Sequence, residues 1–251
     1  MIPDDAKQLY DRDGFVVIRN FLDGESMRVL TTHLDRYIQE IVPHLTPADA
    51  FYQDREHPET LKQLQHMGQD SFFDAYRRDG RWNQLAELLI GEPVEAQEPE
   101  WFNKPPGTEH PTPPHQDNYY FCLRPANVAT LWLALDTVDE ENGCLRYTAG
   151  SHRRGIRPHA ATKVLGFSQG ITDYCTDDVD QEQTMLLEPG DLVAHHGETI
   201  HRAEPNRSSS RHRRAFAMVF RGASCHRDEE AYARYSNAMQ RQHDAMATEA
   251  R

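Results

Sequence analysis

At 251 residues, with 38% hydrophobic residues and three Trp, ten Tyr and ten Phe, the chain has enough apolar mass to fold and is suited to one domain. Its formal charge of −13 argues against nucleic acid or an anionic membrane surface as partners, because both bind basic proteins. No apolar run is long enough for a membrane-spanning helix, and the polar N-terminus does not resemble a signal peptide. With four cysteines that lack CxxC spacing, the sequence predicts a cytoplasmic protein with reduced thiols.

The first part of the chain, residues 1–92, is predicted to be mostly helical. Apolar residues recur at helical spacing before Pro43 and again before Gly91, whereas β-branched residues cluster once, near the start. In chain order we predict a short polar helix from residue 7, a strand at 14–18, a helix over 27–41, helices and loops outside the core at 44–80, and a helix at 82–90.

From residue 94 the hydrophobic period becomes strand-like, which predicts an α+β fold whose core, about 94–222, is a double-sheet jelly roll. The C-terminal helix, 228–251, is expected to pack on the sheet, and a homodimer through this helix is the alternative. The whole chain, 1–251, is expected to be one domain. Strands are predicted at 100–104, 115–123, 129–135, 144–148, 184–187, 192–195 and 213–220, with a long irregular insertion at 151–182.

A candidate metal site begins with His115 and Asp117, two residues apart at the start of a predicted strand. Side chains i and i+2 of a strand point to the same face, so this imidazole and this carboxylate are expected to face one small volume. A second imidazole would complete a set of two His and one carboxylate, which non-haem Fe(II) oxygenases use to leave open positions on the ion. Taken alone, the pair is also typical of two solvated residues at a strand end.

Three histidines compete for the third ligand position. His201 is favoured because Arg213 follows it twelve residues later on the next predicted strand, whereas His195 and His196 are expected to orient ligands through hydrogen bonds. Arg213 shares its predicted strand face with small and apolar residues, so its guanidinium is suited to a bidentate carboxylate. Beside a metal this predicts a dicarboxylic co-substrate; the alternative is that Arg213 pairs with a surface acid.

An ordered set of motifs extends this pattern over most of the chain. In chain order the motifs are Asp13-Gly14-Phe15-Val16-Val17, Asn103-Lys104-Pro105-Pro106-Gly107, His115-Gln116-Asp117, Glu141-Asn142-Gly143-Cys144-Leu145, Gly150-Ser151-His152, Pro189-Gly190-Asp191, His201, Asn206 and Arg213. Together they resemble the phytanoyl-CoA dioxygenase (PhyH) family of Fe(II)/2-oxoglutarate-dependent oxygenases. The resemblance implies a double-stranded β-helix core of the cupin-like kind. It also implies that His115, Asp117 and His201 are the iron ligands, and that Arg213 binds the distal carboxylate of 2-oxoglutarate.

The resemblance extends less directly to Lys104 and Thr130, which it implies are co-substrate-binding or pocket-lining residues. Two departures from the family pattern concern the co-substrate site. Ala203 stands two residues after the distal histidine, where the family frequently has serine, and the loop before the arginine is one residue longer. The longer loop leaves Arg213 and Arg214 as alternatives for the carboxylate anchor.

These features predict an enzyme that uses Fe(II), 2-oxoglutarate and O₂ to hydroxylate an aliphatic C–H bond of a small polar or anionic metabolite, releasing succinate and CO₂. Asp117 favours hydroxylation, because related halogenases replace this carboxylate with a small residue. Alternatives are an acyl-CoA hydroxylase, a non-catalytic metal-binding jelly roll that acts as a sensor or store, and a ferrous dioxygenase that needs no 2-oxoglutarate. A hydrolytic zinc enzyme is disfavoured, because the sequence offers no general base beside the triad.

Overall fold

The structure is a computed structural model that describes residues 2–164 and 167–249. Its helices are α1 (Ala6–Asp13), α2 (Gly24–Arg36), α3 (Ser71–Tyr76), α4 (Gly80–Ile90), α5 (Asn118–Phe121), α6 (Thr176–Val179) and α7 (Glu229–Glu249). Its strands are β1 (Phe15–Ile18), β2 (Ala50–Tyr52), β3 (Leu61–Leu64), β4 (Val94–Ala96), β5 (Glu100–Lys104), β6 (Thr112–His115), β7 (Leu123–Arg124), β8 (Val128–Ala134), β9 (Leu145–Thr148), β10 (His159–Val164), β11 (Phe167–Ile171), β12 (Glu182–Thr184), β13 (Leu192–His196), β14 (His201–Ala203), β15 (Arg213–Gly222) and β16 (His226–Arg227).

Local sequence signals set the ends of the N-terminal helices. The side chains of Asp23, Asp70 and Asp79 accept hydrogen bonds from backbone N–H groups in the first turns of α2, α3 and α4. Helices α1 and α4 end at Gly14 and Gly91, which adopt the left-handed conformation with φ of 84° and 88°. These caps explain why the helical part of the chain could be read from its sequence.

The main sheet has eight strands, with β1, β13, β8, β15, β5, β3 and β2 paired in that order and β4 also paired with β15. Every pair is antiparallel, and side chains alternate between the two faces. One face packs against the helical layer, where Phe73 and Trp82 lie 5.9 and 6.0 Å from the ring of Phe216. The helices therefore cover this face and leave the opposite face for the site.

A second sheet of four strands, in the order β12, β9, β14 and β6, closes over the other face of the main sheet. Between the sheets lies a second apolar cluster to which both contribute, including Phe15, Trp132 and Ala215 from the main sheet and Leu145 and Tyr147 from the smaller one. Two antiparallel sheets packed around a common interior are the jelly-roll arrangement predicted from the sequence.

Several stretches differ from the predictions, and two of them follow residue 94. The predicted strand 115–123 ends at His115, and the next residues form the single-turn helix α5. The predicted irregular insertion 151–182 contains the β10–β11 hairpin and helix α6. In the first case the aromatic run after Asp117 has strand propensity, but the chain must turn out of the small sheet at that point, and tertiary context overrides propensity.

The polar stretch 44–80, predicted to lie outside the core, also contributes strands β2 and β3 to the main sheet. Helix α7 packs on α5 and on strand β10 of the hairpin, and the Tyr235 ring lies 6.1 Å from Tyr119 and 5.8 Å from Tyr120. The last two residues of the predicted helix, 250–251, lie outside the described residues. Within the described chain, no helix has the length and apolar character needed to cross a membrane.

Candidate active site

The two histidines and the aspartate predicted as metal ligands meet between the two sheets. His115 ends β6, His201 begins β14, and the two residues are direct partners in this antiparallel pair. Their ring centroids lie 4.1 Å apart, and Asp117 Oδ1 lies 3.6 Å from Nε2 of each imidazole. One ligand atom from each residue lies within 4.8 Å of the other two. The three side chains thus form a face that can hold one metal ion.

Asp117 reaches this face through a turn. Its backbone has helical dihedral angles, φ −59° and ψ −38°, and it directly precedes α5. The turn brings its carboxylate back towards Nε2 of His115. The proximity predicted from strand alternation is therefore present, but strand alternation is not its cause.

Backbone carbonyls determine which nitrogen of each histidine faces the centre. His115 Nδ1 lies 2.8 Å from the carbonyl oxygen of Pro113, and His201 Nδ1 lies 3.0 Å from that of Thr199. Because a carbonyl only accepts, Nδ1 carries the proton and Nε2 keeps its lone pair. Burial lowers the pKa of both imidazoles, which keeps them neutral and able to bind a metal.

A second layer of hydrogen bonds holds the Asp117 carboxylate. Its Oδ2 accepts from Thr130 Oγ1 at 2.7 Å and from His195 Nε2 at 2.9 Å. His195 Nδ1 in turn accepts from the Tyr147 hydroxyl at 3.0 Å. Burial disfavours the charged carboxylate, but its interactions with the surrounding histidines, including the hydrogen bond from His195, lower the pKa of Asp117. This layer occupies Oδ2 and leaves Oδ1 for an ion.

The residue between the first two candidate ligands, Gln116, anchors their turn. Its side chain is fully buried, and Nε2 donates to the carbonyl oxygens of Gly155 at 2.9 Å and Glu198 at 2.7 Å. Its Oε1 accepts from the backbone N–H of Arg157 at 2.7 Å. One amide thus ties the turn to two separate loops, one of which leads into β14.

Replacing Gln116 with leucine is expected to lower the free energy of unfolding by about 3 kcal/mol, because three part-buried backbone groups lose the hydrogen bonds they make with this buried amide. Denaturant unfolding of the purified variant measures the loss. The matched control is Gln39→Leu, which makes the same chemical change on an exposed side chain. Equal stability of the two variants would contradict the anchoring role.

At one end of the interior lies an excess of positive charge. Arg213 and Lys104 are direct cross-strand neighbours, 5% and 4% exposed. The Arg213 guanidinium lies over the Trp132 ring, 5.4 Å from its centroid, and its buried Nε has no hydrogen-bond partner. Among the described residues, no carboxylate forms an ion pair with Arg213 or Lys104. A buried guanidinium and a buried lysine without a carboxylate partner are costly to keep charged unless an anion joins them.

The pKa values of these basic side chains reflect the same excess of positive charge. Burial, followed by the charge of Arg213, lowers the pKa of Lys104 to about 6. Burial also lowers the pKa of Arg213 to about 10. Lys62, which lines the same cavity, has its pKa lowered first by burial and then by Arg213. A bound dicarboxylate would favour the charged form of all three side chains, so the residues present fit such a ligand.

The structure separates the two arginines that the sequence left as alternatives. Arg213 points into the interior, whereas Arg214 lies on the opposite face of β15 and donates to Asp136, with a shortest contact of 2.7 Å. Ala203, which stands where the family frequently has serine, is buried, and its carbonyl oxygen lies 3.5 Å from Lys104 Nζ. Lys104 also donates to the carbonyl of Glu204. An ammonium group therefore lies beside the position where a serine hydroxyl is missing.

The backbone at Gly143 explains why the motif Glu141-Asn142-Gly143-Cys144-Leu145 contains a glycine. Its φ is +89°, and a Cβ at this position would lie 2.6 Å from the carbonyl oxygen of Glu204 and 3.0 Å from Lys104 Cδ. Both the dihedral angle and the close approach require glycine. This glycine therefore leaves room for the buried lysine beside the site.

All six residues singled out by the sequence line one cavity of about 770 Å³, measured with its opening to solvent. They are His115, Asp117, His201, Thr130, Lys104 and Arg213. Sequence reasoning missed Trp132, Tyr147 and Lys62. Trp132 could have been found, because it lies two residues after Thr130 on the same strand, whereas no local pattern marks Lys62.

The fold and the site together define a class, the jelly-roll enzymes with a two-histidine, one-carboxylate metal face. The family model for phytanoyl-CoA dioxygenase (PhyH) matches residues 10–215. The chain belongs to this family. The resemblance inferred from the motifs is thereby confirmed, and so is the enzyme class, the non-haem iron oxygenases that depend on 2-oxoglutarate.

Three known proteins illustrate the range of relatives. Peroxisomal phytanoyl-CoA dioxygenase from Bos taurus is 27% identical over 238 residues, covering 88% of this chain and 69% of that protein. The 1-deoxypentalenic acid 11-beta-hydroxylase from Streptomyces exfoliatus is 25% identical over 220 residues, covering 81% and 75%. The crystal structure of the epimerase SnoN with Fe³⁺, alpha ketoglutarate and nogalamycin RO has a TM-score of 0.70 at 21% identity, covering 88% and 84%. The last likeness confirms the jelly-roll fold.

Proposed function

We propose that this protein is an Fe(II)- and 2-oxoglutarate-dependent dioxygenase that hydroxylates an aliphatic C–H bond of a small polar metabolite and releases succinate and CO₂. One observation supports the proposal most strongly. The three candidate metal ligands and two buried cations without carboxylate partners line the same cavity. A metal-binding protein with no co-substrate would have no use for the cations, whereas a keto-diacid needs both features.

In this proposal His115, Asp117 and His201 hold the iron through Nε2, Oδ1 and Nε2. The donor set fits, because two neutral imidazoles and one carboxylate are the ligands of non-haem Fe(II) sites. Bound iron and 2-oxoglutarate together supply the oxidising power for hydroxylation with O₂. The chain itself fixes the orientation of Asp117 through Thr130 and His195.

Arg213 is proposed to bind the distal carboxylate of 2-oxoglutarate, with Lys104 as its cross-strand neighbour. A buried guanidinium without a partner gains two charge-assisted hydrogen bonds when a carboxylate arrives. Lys104 adds a second positive charge where the family frequently has a serine hydroxyl. Arg214 is not proposed for this role, because it lies on the opposite face of the strand and pairs with Asp136.

Hydroxylation is favoured over halogenation, because Asp117 occupies the position that a halide ligand would need. A small metabolite is favoured over an acyl-CoA substrate, because the formal charge of −13 would repel the nucleotide phosphates of coenzyme A.

We also propose that residues 1–251 form one oxygenase domain, that the protein is cytoplasmic and that it forms a homodimer through α7. Exposed Tyr232 gives that helix an aromatic surface, and light scattering of the purified chain tests the dimer.

The experiment that tests the function has two steps. Anaerobic titration of the Fe(II)-loaded protein with 2-oxoglutarate is expected to produce a visible charge-transfer band. Addition of O₂ and a panel of small metabolites is then expected to raise succinate release for one substrate class. A protein that binds Fe(II) and never develops the band is a metal sensor or store, whereas O₂ consumption without succinate identifies a dioxygenase independent of 2-oxoglutarate.

A further inference from the structure

The inner face of the main sheet carries opposite charge at its two ends. Strand registers arrange its inward-facing residues in successive rows: Arg213 beside Lys104, then Ala215 between Ala134 and Phe102, then Ala217 between Trp132 and Glu100, then Val219 beside Thr130. The first row holds the cations assigned to the co-substrate. The third holds a carboxylate, Glu100, and adjoins the row of Thr130, whose hydroxyl binds Asp117.

Glu100 has one neutral hydrogen-bond donor. Its Oε2 accepts from Gln63 Nε2 at 3.2 Å, and Gln63 itself is 8% exposed. Gln63 is the cross-strand partner of Phe102, which lines the cavity, so this pair lies on the cavity side of the sheet. Glu100 is partly exposed, and in the described parts of the chain no lysine or arginine forms an ion pair with it.

The surroundings of the Glu100 carboxylate favour binding of a cation. Burial raises the pKa of its carboxyl to about 7, with the Gln63 bond opposing and the charge of Asp117 adding to the rise. A carboxylate that is half withdrawn from water and bound by one amide gains most from a charged donor. The formal charge of −13 also raises the local concentration of cations around the whole protein.

We propose that Glu100, positioned by Gln63, binds a positively charged amine of the substrate, so that the substrate is a small cationic metabolite. This inference rests on the proposed function, because it names the class of substrate that would extend from the cavity to Glu100, which lies on the same face of the sheet beside the lining residues. An anionic substrate, one of the two classes expected from the sequence, would meet the charges of Glu100 and Asp117 together. Such a like-charge contact selects against anions.

The test uses three probes that share a six-carbon chain: hexylamine, 1-hexanol and hexanoate. Each is titrated anaerobically into the Fe(II)- and 2-oxoglutarate-loaded protein, and binding is followed by perturbation of the charge-transfer band. Hexylamine is expected to bind about tenfold or more tighter than the other two, as a charge-assisted hydrogen bond requires. Glu100→Gln is expected to remove this preference without changing 2-oxoglutarate affinity.

The matched control is Glu95→Gln, which removes the same charge from an exposed carboxylate paired with Arg221. This variant is expected to keep the preference for the amine. Gln63→Ala, a second variant in case Glu100→Gln folds poorly, is expected to weaken hexylamine binding severalfold. A normal 2-oxoglutarate band with no preference for hexylamine, or with the preference unchanged in Glu100→Gln, overturns the substrate assignment alone. Failure of the band itself overturns the proposed function, and this inference with it.

Discussion

Asp117→Ala is expected to lose Fe(II) binding and to reduce succinate formation to background. The change removes one of three ligand side chains, and it also leaves Thr130 Oγ1 and His195 Nε2 without their acceptor. Calorimetric titration with Fe(II) measures the lost affinity, and a coupled succinate assay measures the lost turnover. Unchanged turnover would refute the assignment of Asp117 as a ligand.

The control for this experiment is a buried carboxylate outside the cavity. Asp191 is 5% exposed, pairs with Arg19 and accepts from the backbone N–H of Asn20. Asp191→Ala is expected to lower the melting temperature but to retain Fe(II) binding and measurable succinate formation. The contrast separates loss of a ligand from the general cost of removing a buried charge.

Arg213→Met is expected to raise KM for 2-oxoglutarate by roughly 100-fold, because the distal carboxylate loses two charge-assisted hydrogen bonds. The same variant is expected to be at least as stable as the parent without ligand, since a buried cation that has no anionic partner is replaced by an apolar side chain of similar length. Steady-state kinetics and thermal unfolding without 2-oxoglutarate check the two effects.

Arg214→Met is the matched control on the adjacent residue of the same strand. Arg214 is exposed and pairs with Asp136, so its loss is expected to leave KM for 2-oxoglutarate unchanged. If Arg214→Met raises KM and Arg213→Met does not, the assignment of the anchor is reversed. If neither variant raises KM, the co-substrate binds elsewhere in the cavity.

The types of chemical group in the site, and their order along the chain, could be predicted from the sequence. His115, Asp117, His201 and Arg213 follow patterns that need only local spacing and a known order of motifs. The caps at Asp23 and Gly91 likewise mark helix ends, because their hydrogen bonds lie within a few residues. The spacing of two residues between His115 and Asp117 was informative even though the backbone between them forms a turn instead of a strand.

Only the tertiary structure could decide which neighbours face the cavity. Arg213 and Arg214 differ by one residue, and a shift of one residue exchanges the two faces of a strand, so the packing of β15 between β8 and β5 makes the choice. Lys62 reaches the cavity, and Glu100 reaches the same face of the sheet, through strands far apart in the sequence, and no local pattern encodes their pairing. The sequence by itself determined the ligand types and the helix ends, because those depend on local spacing. Strand register, which depends on the burial of the whole core, determined which charges share the cavity.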